Sequence, residues 1–169
     1  DYKNRHQLMR EKIQTLRSLW RGAALTRKNG VGEDFEFFIH PRPVQAELPI
    51  WITAAGSIDT FKYAGSIGGN ILTHLLGQSI EDLIEKIKAY RLARKENGFD
   101  PEEGKVALML HTFVGDDPEF VKEVVEQPFK NYLRNSFNLL KPMAEEQGLD
   151  FEKDMDVILE MGFLRFYKT

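Results

Sequence analysis

The sequence predicts an α/β fold in which repeated strand–helix units build a parallel sheet, and three observations carry that prediction. Short apolar runs at 50–53, 70–75 and 105–114 each give way to an amphipathic helical stretch. The units recur at intervals of roughly 20 to 35 residues, the length of a right-handed crossover between parallel neighbours. The first two dozen residues are already helical in pattern, with Met9, Ile13, Leu16 and Trp20 at helical spacing, and no N-cap residue precedes them. A complete (βα)8 barrel takes about 250 residues. The 169 residues therefore correspond to a small open α/β domain or to the second half of a larger barrel. The uncapped first helix favours the half-barrel.

The elements follow in order. After the helix that ends near Trp20, the polar stretch RGAALTRKNGVGED (21–34) predicts an exposed loop. Phe35, Phe37 and Ile39 alternate as in a short strand. Pro41, Pro43 and Pro49 then impose extended backbone, so that 23–49 forms a hairpin or excursion over a surface. Ile50 to Thr53 is apolar on both faces, as in a parallel strand covered on both sides. Ser57 offers a hydroxyl N-cap to a helix with Phe61, Ala64 and Ile67 on one side, ended by Gly68-Gly69. NILTHL (70–75) is the second strand. Ser79 caps the next helix, in which Ile80, Leu83, Ile84, Ile87 and Tyr90 share a face until Asn97-Gly98. KVALMLHTFV (105–114) is the third strand. Asp117-Pro118 then starts a helix that should run to about Leu140, bent or split at Pro128. The organisation expected is a helix over 1–22, an excursion over 23–49, three βα units over 50–140 and a helical extension over 141–169.

Composition narrows the function. The net charge is −3, 29% of residues are charged with both signs interspersed, and no basic block exists to meet nucleic acid or an anionic membrane. No apolar run approaches the ~18 residues that span a bilayer, and DYKNRHQLMREK lacks the apolar core of a signal peptide. Cysteine is absent, so there is neither a disulfide nor a thiolate nucleophile, and a cytoplasmic location is expected.

Ligands of α/β folds bind where strands end. The first corner, Thr53-Ala54-Ala55-Gly56-Ser57, pairs small residues with hydroxyls at a helix start, and Ser57 and Thr60 stand beside first-turn N–H groups suited to a phosphate. A tight turn with a serine cap explains the same residues, and Asp59 weighs against an anion unless it points away. His74 and His111 fall at the ends of two other strands. They are candidates for catalysis, though a packing role explains each. His6, His40, His74 and His111 share no metal-ligand spacing, so no metal is expected. Neither G-x-S-x-G, a Walker A loop nor G-x-G-x-x-G occurs. Glu81-Asp82 and Glu145-Glu146 are solvated helix faces.

Three segments together, REKIQTLRSLWRG (10–22), FFIHPRPVQAELPIWITAAGSIDTFKYAGSIGGNILTHLLGQSIEDLIEKIKAYR (37–91) and VALMLHTFVGDDPEFVKE (106–123), resemble the C-terminal half of luciferase-like flavin-dependent monooxygenases. The subgroup resembled is the one associated with secondary-metabolite gene clusters. The resemblance implies a partial TIM (βα)8 barrel and an enzyme that binds reduced FMN, activates dioxygen at the flavin and oxygenates a small organic substrate. By position it places Ala55, Gly56, Ser57 and Thr60 on the FMN phosphate. Thr73, His74 and Leu75 fall near the flavin ring or substrate cavity, and His111 and Thr112 line the same pocket. It implies a flavin reductase as the source of reduced FMN, and association into homo-oligomers.

Members of that family are about twice as long. The barrel strands that carry the rest of the flavin cradle and a histidine implicated in oxygen chemistry are missing, which implies a fragment with exposed inner strand faces and little FMN binding of its own. Two alternatives follow: a deazaflavin-dependent oxidoreductase of the same superfamily, and a truncated, non-catalytic half-barrel acting as an interaction module.

Overall fold

Helix α1 spans Arg5–Trp20 after a 3-10 turn at Tyr2–Asn4, and Asn4 at its N-cap makes no side-chain capping bond. The computed structural model describes residues 2–136 and 140–167 and divides into two units, Asp1–Ile50 and Trp51–Thr169. In the first unit, Ile13 is the buried residue of the helix. The Trp20 indole N–H donates to the Gln45 carbonyl at 2.9 Å, and Arg21 grips both oxygens of Glu47 at 2.9 and 2.8 Å. That hydrogen-bonded pair raises the pKa of Arg21 and lowers that of Glu47. Both side chains are more than half exposed, so the pair orients the chain more than it stabilises it.

The stretch 21–34 is not wholly the loop expected. β1 (Leu25–Lys28) lies within it and pairs antiparallel with β2 (Asp34–Phe37). The cause is the turn between them. Asn29 Oδ1 accepts from the N–H groups of Val31 and Glu33, and Gly32 adopts a φ of 86°, which reverses the chain. β1 lacks apolar alternation because the hairpin is exposed, which is why its sequence gives no strand signal.

The second unit holds the predicted parallel sheet. β3 (Trp51–Thr53), β4 (Asn70–His74) and β5 (Val106–Met109) lie side by side in chain order, joined through α2 (Ile58–Ser66) and α3 (Ile80–Glu96). In-order winding with right-handed crossovers puts both helices on one face. Ile52 and Ile71, paired in register, and Thr73 point to that face and are 5%, 0% and 1% exposed. Phe61 and Ala64 of α2 and Leu83, Tyr90 and Ala93 of α3 complete this layer. Trp51, Leu72 and Met109 alternate onto the opposite face, where they are 46%, 39% and 46% exposed. The expectation that the Trp51 strand is covered on both sides is thus corrected: within the described residues of the second unit, helices cover one face and no layer covers the other.

Helix boundaries follow local chemistry. Ser79 and Asp82 form a reciprocal capping box at α3, the Asp82 N–H donating to Ser79 Oγ at 3.1 Å and the Ser79 N–H to Asp82 at 3.0 Å. The bond from the Ser79 N–H lowers the Asp82 pKa, so this carboxylate caps a helix rather than merely facing solvent. Gly68 (φ 65°) and Gly98 (φ 80°) follow the ends of α2 and α3. Along α3, Ile80 and Ile84 are exposed, and the buried face is Leu83, Tyr90, Ala93 and Arg94. The shift has a polar origin. Tyr90 Oη donates to the Gly69 carbonyl at 2.7 Å, Arg94 Nε donates to the Asp100 carbonyl at 2.8 Å, and the guanidinium lies over the Tyr90 and Phe99 rings. Long side chains with satisfied polar ends take core positions that hydropathy alone assigns to isoleucine.

α4 (Pro118–Asn135) starts at its predicted cap, with Asp117 accepting from the Glu119 N–H, and continues as one helix through Pro128. Its expected extension toward Leu140 crosses 137–139, outside the described residues, as does the side chain of Glu146. α5 (Lys141–Glu146) and α6 (Met155–Tyr167) follow. Leu133, Leu140, Ala144, Ile158 and Leu159 form a second apolar cluster with Leu76. No described helix is long and apolar enough to cross a membrane.

Candidate functional site

Because the three strands are parallel, their C-terminal corners open on the same edge of the sheet. At the first corner the Ala54 N–H donates to the Leu72 carbonyl at 3.0 Å, which extends the ladder one residue beyond β3. The chain then turns through Ala55 and Gly56. Ser57 occupies the N-cap of α2 with extended backbone, φ −91° and ψ 117°, but its side chain makes no capping bond. The capping role expected of the Ser57 hydroxyl is therefore corrected: the Thr60 N–H returns to the Ser57 carbonyl at 3.2 Å, and the hydroxyl is not used by the helix. Ala55 and Thr60 are partly buried, while Gly56, Ser57 and Asp59 are exposed.

Gly56 is informative. Its φ is not left-handed, and a Cβ built there would meet no atom within 4 Å. The fold of this chain does not require a glycine at 56. What the glycine preserves is open space beside first-turn N–H groups and a hydroxyl, a donor set that fits an anionic group.

At the second corner the two neighbouring candidates diverge. Thr73 points to the helix-covered face, where its Oγ1 accepts from Gln78 Nε2–H at 3.1 Å. Strand alternation makes it part of the support beneath the corner, not of a cavity lining. His74 alternates to the open face with Leu72, and its Nδ1 is buried without a hydrogen-bond partner. A buried, unpartnered imidazole nitrogen is unfavourable unless a further group completes it. Leu75 is partly buried and Leu76 joins the second apolar cluster.

The third corner departs furthest from expectation. β5 ends at Met109, paired with His74, so the strand does not reach Val114. A strand continues only as far as its neighbour offers a ladder, and β4 ends at His74. His111 thus lies on an exposed segment beyond the sheet, edge-on to Phe129 and Tyr132 of α4 with centroids at 5.1 and 4.5 Å. It packs against aromatic rings. Thr112 is exposed, its hydroxyl donating to the Leu110 carbonyl at 3.5 Å.

Two residues that tie the first two corners together escape sequence reasoning. Gln78, 4% exposed, donates through Nε2 to Thr73 Oγ1 and the His74 carbonyl. Its Oε1 accepts from Lys86 Nζ at 2.8 Å, and the same ammonium donates to the Ala55 carbonyl at 2.8 Å. The available signals were a glutamine within the apolar run before Ser79 and a lysine spaced with Leu83 and Tyr90 on the buried face of α3.

A family model described as luciferase-like monooxygenase matches residues 1–163. Among curated proteins none matches. Solved structures do. The monooxygenase RslO1 from Streptomyces bottropensis superposes with a TM-score of 0.62 at 17% identity, over 75% of this chain and 39% of that one. The oxygenating constituent of 3,6-diketocamphane monooxygenase from Pseudomonas putida, a type II Baeyer–Villiger monooxygenase in complex with FMN, gives 0.61 at 16% identity, over 92% of this chain and 48% of that one. At such identities the likeness is one of fold, and the chain spans less than half of either structure.

Proposed function

Because the chain belongs to the luciferase-like monooxygenase family, we propose that it supplies the C-terminal half of a (βα)8 barrel in an FMN-dependent monooxygenase, and that the corner at Ala55, Gly56 and Ser57, with Thr60, holds the FMN phosphate. The observation that carries this reading is the glycine that the chain's own packing does not need, next to a serine hydroxyl not used by its helix. The structural neighbour from Pseudomonas putida, solved with FMN, supports the same cofactor.

Reduced FMN, when bound, supplies the electrons for the chemistry of dioxygen. The chain's own work is binding, orientation and exclusion of water. First-turn N–H groups of α2 and Ser57 Oγ donate to the phosphate, the positive end of the helix dipole adding to their pull. Thr73, through Gln78, fixes the end of β4. His74 alternates onto the open face, where its ring would adjoin the flavin or substrate, while its Nδ1 stays buried. Trp51, Leu72 and Met109 form an apolar wall that keeps water from the reacting centre once the barrel is closed. His111, held by Phe129 and Tyr132, contributes packing.

The substrate is a small organic molecule of natural-product biosynthesis, reduced FMN comes from a separate flavin reductase, and the protein works in the cytoplasm as a homo-oligomer. Anaerobic titration of the intact barrel with reduced FMN and with a reduced deazaflavin tests the cofactor. Tighter binding of FMN is expected; selective binding of the deazaflavin would move the protein to the deazaflavin-dependent oxidoreductases.

A further inference from the structure

We infer that Lys86 is a positioning and specificity residue for the proposed phosphate site: it fixes the backbone of the Ala55–Ser57 corner and stations behind it the positive charge that favours a phosphorylated flavin over its dephosphorylated form. The inference rests on the phosphate reading above.

The side chain of Lys86 rises from α3, is partly buried, and ends between two neutral oxygens, the Ala55 carbonyl and Gln78 Oε1, each at 2.8 Å. An ammonium has three donors and its partners here carry no formal charge. Among the described residues no carboxylate lies within ion-pair distance of it, whereas Lys88 on the same helix pairs with Glu85 in solvent at 2.7 Å. Asp82, one turn earlier, feels Lys86, as it does Arg165, but its bonds go to the capping box with Ser79. Asp59 in the first turn of α2 is exposed, and screening weakens its influence. A partly desolvated cation held only by neutral acceptors keeps most of its attraction for an anion, and the nearest corner is the one with open space and N–H donors.

The same ammonium has a geometric role. Through Ala55 it anchors the first corner, and through Gln78 it reaches Thr73 Oγ1 and the His74 carbonyl at the end of β4. Arg165 of α6 donates to the Gln78 carbonyl at 3.4 Å, which holds the glutamine from the other side. One side chain thereby sets the position of the phosphate corner relative to His74.

Fluorescence-quenching titrations with FMN and with riboflavin, of the intact barrel proposed above in its unsubstituted form and with Lys86→Arg, Lys86→Gln or Lys86→Met, test this. The unsubstituted protein and Lys86→Arg should prefer FMN. Lys86→Gln, which keeps a donor for the Ala55 carbonyl but no charge, and Lys86→Met should weaken FMN binding by roughly tenfold or more while riboflavin binding changes little. The preference is a ratio within each variant, so a partly unfolded fraction affects both ligands alike, and Lys86→Gln carries the test where Lys86→Met fails to fold. A preference that survives in the uncharged variants, or an equal loss for both flavins, overturns the inference and leaves the phosphate reading standing. An unsubstituted protein that does not distinguish FMN from riboflavin overturns both.

Discussion

Replacing Gly65 with valine is expected to destabilise the fold by about 3 kcal/mol, enough to broaden or abolish cooperative unfolding. Gly65 lies within α2, where an alanine in an open helix would be the better residue by about 1 kcal/mol. Here the sign reverses. A Cβ at 65 would stand 2.4 Å from the Tyr90 carbonyl oxygen, 3.0 Å from Ala93 Cβ and 3.1 Å from the Arg94 nitrogen. Two of these atoms are backbone of α3 and have no rotamer to escape into. The helices must part, and with them go the Tyr90 bond to Gly69 and the Arg94 bonds that hold the end of α3 against the sheet. Urea unfolding followed by circular dichroism checks this. A midpoint equal to that of the unsubstituted protein would show that α2 and α3 do not meet at Gly65.

Gly56→Val, made in the intact barrel proposed above, is expected to do the opposite: change stability by no more than about 0.5 kcal/mol and weaken FMN binding by roughly tenfold or more. The first half follows from the space around Gly56, where an added Cβ meets nothing, and from its ordinary φ. The second follows because a branched side chain occupies the space through which a phosphate would reach the first-turn N–H groups of α2. Titration with FMN and urea unfolding on the same sample separate the two halves. Unchanged affinity would remove the corner from the binding site, and a large loss of stability would show that the glycine serves the fold.

These two glycines also show what the sequence made legible. The parallel sheet, and the starts of α3 and α4, were readable because strand patterning and capping by Ser79 and Asp117 act over a few neighbouring residues. Gly65 and Gly56 look alike in sequence, yet one is fixed by Tyr90 and Ala93 and the other faces open space, a difference set by tertiary approach alone. Strand ends are set by tertiary partners too. β5 stops where β4 ceases to offer partners, whatever the apolar character of Leu110, Phe113 and Val114. β1 carries no pattern of its own because an exposed hairpin needs a turn such as Asn29 to Glu33, not an apolar stripe.

The candidate site divides in the same way. Ala55, Gly56 and Ser57 stood out locally as small and hydroxyl residues at a strand-to-helix corner. Pattern alone could not separate Thr73 from His74, which the pleat sends to opposite faces, the threonine to Gln78 and the histidine to the open side. Lys86, distant in sequence from Ala55, carries no local mark of its bond to that carbonyl.

A crystal structure of the intact barrel proposed above, bound to FMN, tests the central claim most directly. The account predicts phosphate oxygens within hydrogen-bond distance of Ser57 Oγ and of the first-turn N–H groups of α2, in the space beside Gly56. A phosphate bound at any other place in the protein, with the Ser57 corner left to solvent, would contradict it.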